Sequence, residues 1–128
     1  MSDKPSQIRL LLVDDEESYL EVLSKRLSKR HIAVTTASSG RAGIQAMRRA
    51  EFDVAVVDLK MPDLDGLEVL KIFKAMAPET KVIILTGHGS QRAARQGLAL
   101  GAFDYLTKPC DLEDLLAKIK EAAGRGGD

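Results

Sequence analysis

The chain has 128 residues with 19 Lys and Arg against 19 Asp and Glu, so its formal net charge is zero. That length holds one domain with a core of its own, and 45% hydrophobic with 30% charged residues excludes wholesale disorder. Neutrality removes the electrostatic case for nucleic acid or a membrane surface as the main partner, and 4% aromatics without Trp disfavours a base-stacking platform.

The first residues, Met1 to Gln7, are polar and carry no secretory signal, so residues 1–6 are expected to be disordered and the domain to span 7–123. Ile8–Val13, interrupted only by Arg9, reads as a buried strand that stops at Asp14. Leu20, Leu23 and Leu27 then mark one face of a helix whose positive end receives Glu16 and Glu17. Ala33–Ala37 is a more polar strand, followed by a helix patterned by Ala42, Ala46 and Met47. Val54–Val57 is the third strand and stops at Asp58; Leu67, Leu70 and Phe73 pattern the next helix. Val82–Leu85 is the fourth strand and stops at Thr86. The helix Ser90–Leu100 contains Gly97, which either loosens a movable element or lets the helix pack close to the sheet. Phe103–Thr107 is a polar fifth strand, and Asp111 stands as N-cap to a helix through Leu112, Leu115, Leu116 and Ile119. The glycine-rich end, 124–128, reads as a flexible tail or the start of a linker. The lone Cys110 has no internal partner and reads as a small buried hydrophobe in a reduced, cytoplasmic protein. No apolar run approaches the roughly 20 residues of a membrane span.

Strand and helix alternating in this way predict an α/β fold with a parallel sheet. The apolar first, third and fourth strands belong at its centre and the polar second and fifth at its edges. With right-handed crossovers the order is 2-1-3-4-5, and the ligand crevice lies beyond the carboxyl ends of the first and third strands.

Asp14, Asp15, Asp58, Thr86 and Lys108 all follow strand ends and therefore meet at that crevice. Taken singly, each has an ordinary role as a cap, a turn residue or a solvated lysine. Together, three carboxylates and one ammonium leave excess negative charge that a divalent cation compensates. Oxygen donors without a His/Cys set suit Mg²⁺, with Mn²⁺ as a substitute, better than zinc. A carboxylate beside such an ion, a hydroxyl and an ammonium form a phosphoryl-transfer constellation. The chain has neither a P-loop nor a dinucleotide glycine fingerprint.

Leu11-Leu12-Val13-Asp14-Asp15-Glu16, Val56 to Pro62, Asp65-Gly66, Ile84 to Gly87 and Tyr105-Leu106-Thr107-Lys108-Pro109 resemble the receiver domain of two-component response regulators. The resemblance covers about Ile8 to Ala123. It implies a flavodoxin-like (βα)5 three-layer sandwich and a partner sensor histidine kinase or histidine phosphotransfer protein. Asp58 is then the phosphoacceptor. Asp15, Asp58 and the Lys60 backbone carbonyl bind the metal, and Asp14 helps through water. Lys108 pairs with the phosphoryl group, Thr86 is the switch hydroxyl and Tyr105 the switch aromatic, and the Lys108–Pro109 bond is cis. Lys60 and His88 stand where side chains tune the phosphoryl lifetime, and Lys60 is expected to shield the group and slow its loss.

The output is expected through the fourth helix, fifth strand and fifth helix, toward an unknown output protein or domain, with a phosphorylation-dependent homodimer as one form. The chain works alone through contacts or is one domain of a longer protein. It is not expected to be a turnover enzyme on a separate substrate: a small Mg²⁺-dependent phosphatase would need a cap to exclude water, and Lys60 stands where its acid would be. The alternative is a phosphorylation-independent binding or dimerisation module of the same fold.

Overall fold

The computed structural model describes residues 7–87 and 89–125. The expected disorder of residues 1–6, the side chain of His88 and the last three residues of the expected tail therefore lie outside the described residues. Ten elements alternate: β1 (Ile8–Val13), α1 (Glu17–Ser28), β2 (Ile32–Ala37), α2 (Gly40–Arg49), β3 (Val54–Asp58), α3 (Gly66–Met76), β4 (Lys81–Thr86), α4 (Gln91–Ala99), β5 (Asp104–Thr107) and α5 (Leu112–Ala122). The strands form one parallel sheet in the order β2-β1-β3-β4-β5.

Both faces of this sheet are covered, which is why its central strands read as unbroken apolar runs. Leu10 and Leu12 of β1, with Val54, Val56, Ile83 and Leu85, face a core closed by Leu20, Leu23 and Leu27 of α1 and Leu115, Leu116 and Ile119 of α5. Leu11 and Val13, with Ala55, Val57, Val82 and Ile84, face a second core closed by Met47 of α2 and Val69, Leu70 and Phe73 of α3. The edge strands are wetter, as their composition predicts: every residue of β5 is only partly buried.

Close approach explains two helical glycines. A Cβ at Gly43 would lie 3.0 Å from Val13 Cγ2, and one at Gly97 would lie 2.2 Å from Ile84 Cδ1, so Gly97 seats α4 directly on β4. Local caps fix the helix ends. Ser39 accepts from Ala42 N at 3.0 Å and Asp65 from Leu67 N at 3.0 Å. Asp111 occupies the N-cap position of α5, but its side chain makes no capping bond. Gly124 and Arg125 follow α5 and cap its end. Gly124 (φ 78°) and Arg125 donate backbone N–H groups to Glu121 O (3.0 Å) and Lys120 O (2.7 Å), a Schellman arrangement.

Candidate functional site

Parallel pairing aligns the strand ends. Val13 pairs with Val57, Asp58 with Leu85 and Thr86 with Thr107, so the residues that follow emerge along one edge. Asp14 and Asp58 are buried there (2% and 7% exposed), whereas Asp15 is exposed. Ligand oxygens of Asp14, Asp15 and Asp58 all lie within 4.8 Å of one another. Lys108 reaches in from the loop after β5, held by its backbone N–H on Thr86 O at 2.7 Å and followed by a cis bond to Pro109.

The ammonium of Lys108 is shared unequally. It lies 2.6 Å from Asp14 Oδ2, 3.3 Å from Glu16 Oε1 and 3.5 Å from Asp58 Oδ2. Burial alone would lower the lysine's pKa; the hydrogen bond and charge of Asp14, aided by Asp58 and Glu16, hold it well above the ordinary value. Asp58 goes the other way for a carboxylate with a cationic neighbour. Its burial raises the pKa most and Asp14 pushes it further up, and the opposing pull of Lys108 and of the Lys60 N–H does not offset them. The pocket at rest is thus built around the Asp14–Lys108 pair, with Asp58 the less compensated carboxylate.

The β3–α3 loop carries Asp58 and Lys60 into the site and is anchored twice. Asp58 Oδ1 accepts from Lys60 N at 3.3 Å. Gly66 N donates to Leu59 O at 3.0 Å, and a Cβ at Gly66 would sit 2.6 Å from Leu59 Cα and 2.8 Å from Asp58 O. Farther along, the Asp63 carboxylate crosses to α2 and accepts from Gly40 N (3.0 Å) and Arg41 N (2.9 Å). These bonds hold its pKa below the usual carboxylate range, the one from Arg41 contributing most. Beside this loop a cavity of about 680 Å³ opens between Asp15, Lys60, Pro62 and α4.

Of the other expected site residues, Thr86 is buried and its hydroxyl donates to Gly87 O at 2.9 Å. Tyr105 is partly buried against the core beneath α3. The Lys60 side chain is exposed at the rim. Two neighbours of Lys108 escape a reading of the sequence: Glu16, which there serves only the helix end, and Tyr19, whose ring centroid lies 4.6 Å from Lys108 Nζ. The available signal is position alone: Glu16 directly follows the acidic pair, and Tyr19 stands four residues after Asp15.

Comparison with known proteins places this geometry in context. A family model described as the response regulator receiver domain matches residues 10–120. The transcriptional regulatory protein GlrR of Escherichia coli (strain K12) is 38% identical over 122 residues, 95% of this chain and 27% of that protein. The acid tolerance regulatory protein ActR of Rhizobium meliloti (strain 1021) is 36% identical over 115 residues, 90% of this chain and 59% of that protein. Among solved structures, a response regulator receiver domain protein from Clostridium thermocellum superposes with a TM-score of 0.88 at 37% identity, covering 92% of this chain and 95% of that one. A beryllofluoride-activated NtrC4 receiver domain dimer gives 0.84 at 37% identity, covering 91% and 96%. The chain spans only 27% and 59% of the two curated relatives it matches here.

Proposed function

The chain belongs to the family of response regulator receiver domains, and from that premise we propose that Asp58 accepts a phosphoryl group from a phosphohistidine of a partner sensor kinase or phosphotransfer protein. The observation that carries the reading is the convergence of Asp14, Asp15, Asp58 and Lys108 at one sheet edge, with the lysine 3.5 Å from Asp58. A carboxylate oxygen of Asp58 forms a bond to phosphorus while the bond between phosphorus and the partner's imidazole nitrogen breaks. The electron pair leaves with that nitrogen, which takes a proton from water.

The donor set fits Mg²⁺ or Mn²⁺: hard carboxylate oxygens in excess over the local positive charge, with Asp15 exposed enough to leave room for water. Asp15, Asp58 and the Lys60 carbonyl would hold the ion, with Asp14 assisting through water. When bound, the ion neutralises charge on the phosphoryl oxygens. Lys108 shifts from Asp14 toward the phosphoryl group and pairs with it. Thr86 exchanges its bond to Gly87 O for a phosphoryl oxygen, and Tyr105 follows it inward, altering the face of α4, β5 and α5. Leu98, Leu100 and Phe103, 38%, 39% and 36% exposed, lie on or beside α4 and β5 and give an output protein, or a second copy, apolar purchase. The solved NtrC4 relative is itself a beryllofluoride-activated dimer. The domain is a switch and not an enzyme acting on a separate substrate.

Intact mass after incubation with acetyl phosphate tests this. The expected result is a gain of one phosphoryl group that needs Mg²⁺, disappears with EDTA and is absent in Asp58→Asn. Absence of the gain together with failure to bind beryllofluoride would overturn the reading and leave the phosphorylation-independent binding module.

A further inference from the structure

The ammonium of Lys108 meets a surface in the pocket that carries no charge. Tyr19, on the first turns of α1, packs against the core beneath α1 and α5 and lies with its ring centroid 4.6 Å from Lys108 Nζ. Three carboxylates, those of Asp14, Glu16 and Asp58, attract the same ammonium toward fixed points. The contact of 2.6 Å to Asp14 is the shortest of these, so it is the bond Lys108 must loosen to reach a group on Asp58.

We propose that Tyr19 is a positioning residue for Lys108, its ring face holding the ammonium over the acidic pocket while leaving it free to pass from Asp14 to an arriving phosphoryl group. The inference rests on the phosphoacceptor reading of Asp58. The physical basis is the ring quadrupole, whose negative face attracts a cation within about 6 Å of the centroid without demanding one donor direction. An ion pair released at Asp14 would otherwise leave the ammonium to wander toward solvent or Glu16. Partial burial of Lys108, whose side chain is 19% exposed, weakens the screening of that attraction by water. The aromatic ring has two side-chain torsions and is braced by core contacts, so it offers a firmer platform than another long polar side chain.

The alternative, that Tyr19 merely fills space, separates cleanly by substitution. Tyr19→Phe keeps the ring; Tyr19→Leu and Tyr19→Met keep apolar volume without it, and amide NMR spectra establish that each variant folds. Two readouts apply. In the metal-free protein, ring current shifts the ε-methylene protons of Lys108 upfield of the other lysines in the unmodified chain and in Tyr19→Phe, and the shift is lost in Tyr19→Leu. At saturating Mg²⁺, phosphorylation by acetyl phosphate stays within about twofold in Tyr19→Phe and slows about two- to tenfold in Tyr19→Leu and Tyr19→Met. Lys108 resonances at ordinary positions in the unmodified chain would overturn the proposal. So would equal rates in Tyr19→Leu and the unmodified chain, or a loss in Tyr19→Phe as large as in Tyr19→Leu. If the unmodified chain takes up no phosphoryl group, the reading of Asp58 falls and this inference with it, a pattern distinct from any variant-specific result.

Discussion

Lys60 and Asp53 flank β3 at its opposite ends and show how single side chains set local behaviour. Lys60 is exposed at the mouth of the acidic pocket, and its backbone N–H is tied to Asp58 at 3.3 Å. On the proposed role of Asp58, a long side chain there would cover the phosphoryl group from attacking water. Lys60→Ala is therefore expected to shorten the lifetime of the phosphorylated protein, measured as the decay of the added mass after the donor is removed; an unchanged decay rate would sink the idea. Asp53 binds the Arg9 guanidinium at 2.9 Å and the Arg9 backbone N–H at 2.8 Å, clamping β1 to β3. The Arg9 hydrogen bond is the main cause that holds the Asp53 pKa below the usual carboxylate range. A carboxyl with a depressed folded pKa adds stability above its unfolded value and loses it as pH falls through the folded one. Asp53→Asn should thus lower the thermal midpoint near pH 7, with the gap to the unmodified chain closing as the solution is acidified below the ordinary carboxylate range. At this scale the sequence was legible where a polar residue ended an apolar run, as Asp14, Asp58 and Thr86 do. Tyr19 was not: an aromatic at helical spacing looks like a core residue until Lys108, 89 positions on (108 minus 19), is folded over it.

The elements followed their patterns with ends displaced by about one residue: β4 also gains exposed Lys81, β5 starts at Asp104 rather than Phe103, and α4 runs Gln91–Ala99 rather than Ser90–Leu100. β3 includes Asp58 and β4 includes Thr86 because pairing with neighbouring strands persists there, as Asp58–Leu85 and Thr86–Thr107. Helix α1 begins at Glu17, later than a cap at Asp14 or Asp15 would place it: Glu16 holds the N-cap position, and Asp14 Oδ1 accepts from Glu16 N at 2.9 Å in the turn before it. What periodicity leaves unread is how near an element approaches its neighbour. Gly66 opens α3 against backbone atoms of Leu59 and Asp58 at 2.6 and 2.8 Å from where a Cβ would stand, and backbone cannot rotate aside. Gly66→Ala is expected to destabilise the fold by about 1–3 kcal/mol in urea unfolding and to slow phosphorylation by pushing on the backbone of Asp58, the proposed acceptor. A variant as stable and as reactive as the unmodified chain would show that the loop gives way more readily than its packing implies. Gly97 differs, since the atom in its way is the far end of the Ile84 side chain.

Across the whole molecule, the sheet order was readable because β2 and β5 are polar enough to be edges, and the polar residues at strand ends then had one crevice to share. The coupling of Thr86 to Tyr105, expected from the family resemblance, did not follow from strand order and polarity, because it depends on which side chains touch. Thr86 ends β4 beside Thr107 of β5, and Tyr105 packs into the core beneath α3, so a change at the pocket has a packed route to α4 and β5. Amide shifts on binding beryllofluoride should therefore extend through Ser90–Leu106; shifts confined to the Asp58 pocket would exclude this route. The pocket also has a temporal side. Its central ion pair joins residues 94 positions apart, and Lys108 follows Asp58 by 50 positions (108 minus 58). Asp58 is thus made well before its lysine, and a chain whose last strand has come undone separates the two again. Only a chain whose β5 has closed against β4 holds Lys108 beside Asp58, so on the proposed role of Asp58 the uptake of a phosphoryl group doubles as a report that the sheet is complete.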